Sequence, residues 1–195
     1  MSILPIIKTE RLILRNIAMG DVDDMYEYAR TSLVGPTAGW KPHGSTYETK
    51  SVIASFLGNQ ARGDLGVWSI VVKETGKMIG TIELYNYVPK FFAELGYSLN
   101  PSYWGKGYAT EAAKAVVDYG FNVLRLRRIE AGTFETNKQS IRVCEKVGFT
   151  KEGILKNSYL RELAKTVQKI ILLLFYNTLV YILSTYRKNL VLKIA

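Results

Sequence analysis

The chain has 195 residues, of which 48% are hydrophobic and 22% charged, with a formal net charge of +9. That length fits one domain, residues 1–195, around a well-filled core, and the ordinary composition excludes fibrous, low-complexity and disordered classes. Cys144 is the single cysteine, which excludes an intrachain disulfide; with no basic-then-apolar leader, a reducing cytoplasm is the expected compartment.

The positive charge is uneven. Residues 151–195 hold 8 of the 26 basic side chains but 2 of the 17 acidic ones. Such a patch suits a ribosome, a membrane surface or an anionic cofactor, or is a solvated face; no direct nucleic-acid binding is expected.

In chain order, residues 9–15 (TERLILR) alternate apolar and polar positions and predict an edge-facing strand. A helical pattern follows to Tyr28, with Asp21 as candidate N-cap. Residues 35–44 (GPTAGWKPHG) are dense in glycine and proline and predict an irregular loop, with a second helix over about 47–62. Residues 67–73, 77–86 and 91–99 then read as three β-rich runs, an antiparallel meander whose first turn is Glu74-Thr75-Gly76. Asn100-Pro101 leads into a glycine loop, a helix over about 110–124, a strand over 128–133 and a helix over 138–147.

The most informative segment is Tyr103-Trp104-Gly105-Lys106-Gly107-Tyr108-Ala109-Thr110-Glu111-Ala112-Ala113, between a strand end and a helix start. Backbone N–H groups at a helix N-terminus are unpaired and suit an anion. Glycines let the backbone approach a phosphate without a Cβ, and Lys106 adds a cation. A plain glycine turn before a helix capped by Thr110 fits the same residues. A dinucleotide or Walker loop is excluded, because neither GxGxxG nor GxxxxGK[ST] is present.

This segment resembles the CoA pyrophosphate loop of the GNAT acetyltransferases. Trp104 at its first position, with WGKGYATEA, is similar to the RimJ/RimL branch of ribosomal-protein N-terminal acetyltransferases. TERLILR, IGTIEL (79–84), AELGYSLNPSYWGKGYATEA (93–112) and ETNKQSIRVCEKVGFTKEG (135–153) follow that branch in order, so the resemblance covers roughly residues 7–160. It implies the α/β (α+β) GNAT fold: a mixed, mostly antiparallel sheet with helices on both faces and splayed strands at the acetyl-CoA site. It also implies acetyl transfer from acetyl-CoA to a primary amine, foremost a protein N-terminal α-amino group, with no metal.

By the same resemblance Glu94 is the base, acting directly or through water; pairing with a basic neighbour across the strands is the structural alternative. The backbone at Leu99 and Asn100 contacts the thioester and pantetheine, Trp104 to Thr110 hold the pyrophosphate, Asn137 contacts the co-substrate, and Ser140 is the general acid toward the CoA sulfur. Asn137 as a helix N-cap and Ser140 as a first-turn residue fit equally. Cys144, four residues after Ser140, reads as packing rather than a nucleophile. His43 is expected at the surface or lining the pocket, and Trp40 and Tyr47 either line the amine's approach or pack.

After Arg161 the resemblance fades. Residues 170–183 are apolar apart from Asn177 and Thr178, and 14 residues are too few for the roughly 20 of a bilayer span. Residues 167–176 and 179–186 read as closing strands or a homodimer contact, with a composition that a shifted reading frame in an AT-rich gene also yields. Three alternatives stay open: a degenerate module that binds acyl-CoA without transfer, an acetyltransferase of a small-molecule amine (polyamine or antibiotic), and a basic tail that docks on a ribosome or anionic membrane.

Overall fold

The computed structural model describes residues 4–160 and 166–175. Among them one sheet holds β1 (Ile7–Lys8), β2 (Leu12–Asn16), β3 (Val67–Val72), β4 (Met78–Val88), β5 (Phe92–Leu99), β6 (Arg128–Phe134), β7 (Thr150–Leu160) and β8 (Thr166–Phe175), in the order β1-β2-β3-β4-β5-β6-β8-β7. The helices are α1 (Val22–Ala29), α2 (Gly35–Ala38), α3 (Thr46–Ala61), α4 (Tyr108–Asn122) and α5 (Lys138–Val147). Every strand pair is antiparallel except β5 with β6. A parallel pair needs a crossover, and α4 supplies it.

Helices cover both faces, as the resemblance implies. α4 buries Ala112, Ala113, Val116, Val117, Gly120 and Phe121, an i, i+3, i+4 stripe set against Leu84, Leu95 and Ile129. Cys144 of α5 joins that core. On the other face Met25 and Tyr28 of α1 and Ile53 of α3 pack on Val67, Val71 and Met78. β3 is buried at all six positions because it is covered from both sides.

The meander and α5 lie where the sequence places them, and three local expectations change. Residues 9–15 are not one strand: Thr9 to Arg11 form the turn of the β1–β2 hairpin, where Thr9 N–H donates to Leu12 C=O at 3.0 Å and Leu12 N–H to Thr9 Oγ1 at 3.0 Å. Asp21 precedes α1 but its side chain does not cap it. Its carboxylate turns inward, accepting from both Arg15 Nη atoms (2.6 and 2.8 Å), Ser69 Oγ (2.7 Å) and Ala18 N–H (2.9 Å). The glycine- and proline-rich stretch contains α2. β8 lies between β6 and β7, so the first expected tail strand is a closing strand; the second, over 179–186, lies outside the described residues.

The feature that builds a site is the parting of β5 from β6. Their register runs only from Phe92↔Arg128 to Glu94↔Glu130, whereas β5 stays paired with β4 as far as Leu99↔Gly80. β6 meanwhile is matched to β8 along its whole length, Arg128↔Phe175 to Phe134↔Lys169. Beyond Glu94 the sheet therefore opens.

Candidate active site

One wall of the opening is the free side of β5. Asn100 N–H donates to Ile79 C=O at 2.8 Å, which fixes the alternation of the antiparallel ladder. Residues 96, 98 and 100 bond toward β4, and the amides of Tyr97 and Leu99 face the opening. Of the two expected backbone contacts, Leu99 is thus on the open side. Trp104 Nε1 donates to Leu99 C=O at 2.8 Å and braces this strand end. Asn100 is buried and holds the turn: its Oδ1 accepts from Ser102 N–H at 3.0 Å and its Nδ2 donates to Glu27 Oε1 at 2.8 Å.

Next comes the glycine loop. Gly105 (φ +75°) and Gly107 (φ +82°) are both in the left-handed region, where other residues are strained. The helix begins earlier than the sequence predicts, and Gly107 rather than Thr110 is its N-cap. The first helical bond is Glu111 N–H to Gly107 C=O, 3.0 Å. The N–H groups of Tyr108, Ala109 and Thr110 precede that ladder and emerge at the positive end of the helix dipole. Gly105, Lys106 and Gly107 are exposed, and a Cβ on Gly105 would have nothing within 4 Å. An open N–H cradle with a lysine beside it fits a pyrophosphate.

The sequence reading missed Arg11 here. Its Nη1 donates to Lys106 C=O at 2.9 Å, its Nε donates to Glu111 Oε2 at 2.7 Å, and its guanidinium lies 4.4 Å from the Tyr108 ring centroid. Glu111 also accepts from Thr9 Oγ1 at 2.6 Å and Arg11 N–H at 2.8 Å. Burial pushes that carboxyl up, but the bonds from Thr9 and Arg11 outweigh it and hold Glu111 below the usual range. The β1–β2 turn therefore props the glycine loop and leaves a second cation against it.

Side chains alternate across β5, so its two faces carry different chemistry. On the α3 face, Glu94 accepts from Tyr85 Oη at 2.9 Å and Asn86 Nδ2 at 2.8 Å. Glu83, opposite Gly96, shares this face, and burial first, then nearby Asp64, pushes its carboxyl up to about 7. Burial raises Tyr85 above the usual phenol range, with Glu94, Glu83 and Glu130 adding to it. Farther along, Thr81 Oγ1 and Ser98 Oγ are 2.9 Å apart.

On the α4 face, Tyr97 meets α5. Asn137 is the N-cap of α5: its Oδ1 accepts from Ser140 N–H at 3.1 Å, and its Nδ2 donates to Thr37 C=O at 3.2 Å, tying α2 to α5. Ser140 Oγ accepts a 3.0 Å hydrogen bond from Tyr97 Oη. Alternation along β5 was the available signal that Tyr97 and Glu94 point to opposite faces. Cys144 is buried, and burial pushes its thiol up to about 12, so it stays protonated and is a packing residue.

The three aromatic expectations near residues 35–47 separate. His43 is buried rather than at the surface: its Nδ1 is 2.8 Å from Thr49 Oγ1, its ring is 5.1 Å from Trp40, and burial lowers its pKa. Trp40 packs on Gly35, where a Cβ would come within 2.6 Å of its ring. Tyr47 is 79% exposed. Among the described residues no cluster of three or more His, Cys, Asp or Glu is arranged to hold a metal, and no helix is long and apolar enough to cross a membrane.

Residues 11–150 match the family model described as the acetyltransferase (GNAT) domain. The N-acetyltransferase p20 of Bacillus licheniformis is 35% identical over 151 residues, covering 76% of this chain and 84% of that one. The spermidine N(1)-acetyltransferase of Escherichia coli (strain K12) is 38% identical over 91 residues, 46% of this chain and 48% of its own. Among solved structures, the ribosomal-protein-S5-alanine acetyltransferase from Vibrio fischeri superposes with a TM-score of 0.73 at 25% identity, covering 89% of this chain and 97% of that one.

Proposed function

The chain belongs to the GNAT acetyltransferase family, and from that membership we propose that it acetylates protein N-terminal α-amino groups by direct attack of the amine on the acetyl-CoA thioester. The coarser statement, an acetyl-CoA-dependent N-acetyltransferase of GNAT type, follows from the family itself. The glycine loop, Lys106 and the first turn of α4 hold the pyrophosphate in this reading, with the pantetheine arm along the Leu99 side of the opening and Asn137 beside it. The RimJ/RimL-like branch and the cytoplasm are the finer assignments we make.

The observation that carries the proposal is that Glu94 and Ser140 lie on opposite faces of β5 where it leaves β6. Direct transfer needs that separation. The amine nitrogen gives up a proton on one side of the carbonyl, and the sulfur gains one on the other as the C–S bond breaks and the C–N bond forms. Glu94 takes the first proton, directly or through water, and Ser140 gives the second.

The acceptor follows from the strength of the base. A carboxylate is a weak one, and the sole histidine is buried against Thr49 and Trp40. An α-amine with a pKa near 8 is partly free at neutral pH, whereas freeing a lysine-type ammonium costs about 4 to 5 kcal/mol. N-terminal amines therefore suit this site, in keeping with the similarity to a ribosomal-protein acetyltransferase. A second reading, a polyamine acceptor, rests on the three glutamates Glu83, Glu94 and Glu130 around Tyr85 and on the similarity to a spermidine acetyltransferase.

The test is CoA release at near-neutral pH against N-terminal peptides, spermidine and aminoglycosides. Highest kcat/KM on peptides is expected. Preference for spermidine would assign the polyamine class, and tight CoA binding without release for any amine would make the chain an acyl-CoA-binding module.

A further inference from the structure

A serine is a poor proton donor to a thiolate. Its hydroxyl is far less acidic than a thiol of pKa about 8.5, it rotates freely, and within a helix it readily turns back to the carbonyl four residues earlier. Ser140 has an arrangement that answers each difficulty. Tyr97 Oη donates to Ser140 Oγ at 3.0 Å and lies 3.4 Å from the Ser140 carbonyl oxygen, so the phenol is anchored on this one residue. The serine N–H is separately fixed on Asn137 Oδ1 at 3.1 Å, and Asn137 is itself held by Thr37 C=O. Both the backbone and the hydroxyl of Ser140 are thus held, with the Cys144 thiol one turn on also within hydrogen-bonding reach of the hydroxyl.

We propose that Tyr97 is a positioning residue for the leaving-group proton: by donating to Ser140 Oγ it occupies one lone pair and turns the serine O–H outward, toward the departing CoA sulfur. The inference rests on the direct-transfer reading of the same site. As the C–S bond breaks, its electron pair goes to sulfur and the Ser140 proton follows. Tyr97 keeps its proton and its hydrogen bond to Ser140 Oγ, and solvent, which holds the proton given up by the amine through Glu94, restores the serine hydroxyl, so no proton is gained or lost overall. Burial holds Tyr97 above the usual phenol range, so it remains a donor across working pH.

The contact has a signature that packing alone does not. A residue that acts only through Ser140 has nothing to do once the serine hydroxyl is gone. Tyr97→Phe keeps the ring and removes the oxygen, and Ser140→Ala removes the hydroxyl. With acetyl-CoA and the best acceptor of the peptide panel, Tyr97→Phe is expected to lower kcat by about 10- to 100-fold, with the KM for acetyl-CoA within about 2-fold. In a Ser140→Ala background the same change should lower kcat by less than about 2-fold, a fully non-additive cycle. Thermal melting of all three variants within a few degrees of the parent shows that the fold is intact.

Tyr97→Phe with unchanged kcat, or a double variant whose loss is the product of the two single losses, overturns the inference while leaving direct transfer standing. Full activity of Ser140→Ala would overturn the acid assignment beneath it, and the inference with it.

Discussion

Gly107→Asp separates the fold from the ligand, because the two effects of that substitution oppose each other. The position is left-handed (φ +82°), which costs a typical side chain about 1 kcal/mol relative to glycine and aspartate somewhat less. In return the residue is the N-cap of α4, where a carboxylate gains roughly 0.5 to 1 kcal/mol, and its Cβ would sit 3.4 Å from Arg11 Nη2, an ordinary contact that favours a negative charge. Stability should therefore change by less than about 1 kcal/mol, a shift of about 2 to 4 °C in Tm. The ligand meets the reverse. One added negative charge about 5 Å from a doubly charged pyrophosphate, at an effective dielectric of about 40 for this exposed loop, costs about 3 kcal/mol, or roughly 100-fold in affinity. It also neutralises the Arg11 cation beside the loop. Calorimetric titration with CoA, paired with a melting curve, reads both. Unchanged Tm with CoA affinity within about 3-fold of the parent would show that the phosphates do not lie on this loop.

Ser140→Ala should lower kcat by about 100-fold with little change in acetyl-CoA affinity, while Cys144→Ala stays near parental turnover; the opposite pattern would replace direct transfer with a route through cysteine. Glu94→Gln should depress kcat/KM most at low pH, where the amine is least often free, and an equal loss at every pH would remove Glu94 as the proton acceptor. Glu83 bears on stability instead. Its folded pKa of about 7 lies above the ordinary carboxylate value, so the stability from its bound proton is full below about pH 4.5 and is lost as pH rises through 7. Glu83→Gln should gain on the parent by on the order of 2 to 3 kcal/mol between about pH 5 and 8 in urea unfolding, and a constant difference across that range would contradict the buried, protonated carboxyl.

What the sequence displayed was local. Period-2 runs gave the meander, and Asn137 followed by a periodic stretch ending at Gly148 gave α5 with both boundaries. Paired glycines before a helix start marked the loop. What it hid were contacts between distant segments. Arg11 reads as one polar position in an alternating run until Glu111, 100 residues later, pulls it onto the loop. Tyr97 and Ser140 are 43 residues apart and meet only because the α4 crossover returns the chain over β5. Asp21 has the right type and place for an N-cap, but Arg15 and Ser69 offer its carboxylate a buried partner set that outcompetes a helix end. The tail defeats pattern reading for another reason: β8 enters the sheet between β6 and β7, an order that no periodicity within residues 166–175 encodes.

The most direct test of direct transfer is the initial-rate pattern with acetyl-CoA and an N-terminal peptide both varied. Attack of the amine on the thioester requires both substrates bound together, which predicts double-reciprocal lines that intersect to the left of the ordinate. Parallel lines, with an acetyl group recovered on Cys144 after incubation with acetyl-CoA alone, would contradict it and require a covalent acetyl-enzyme.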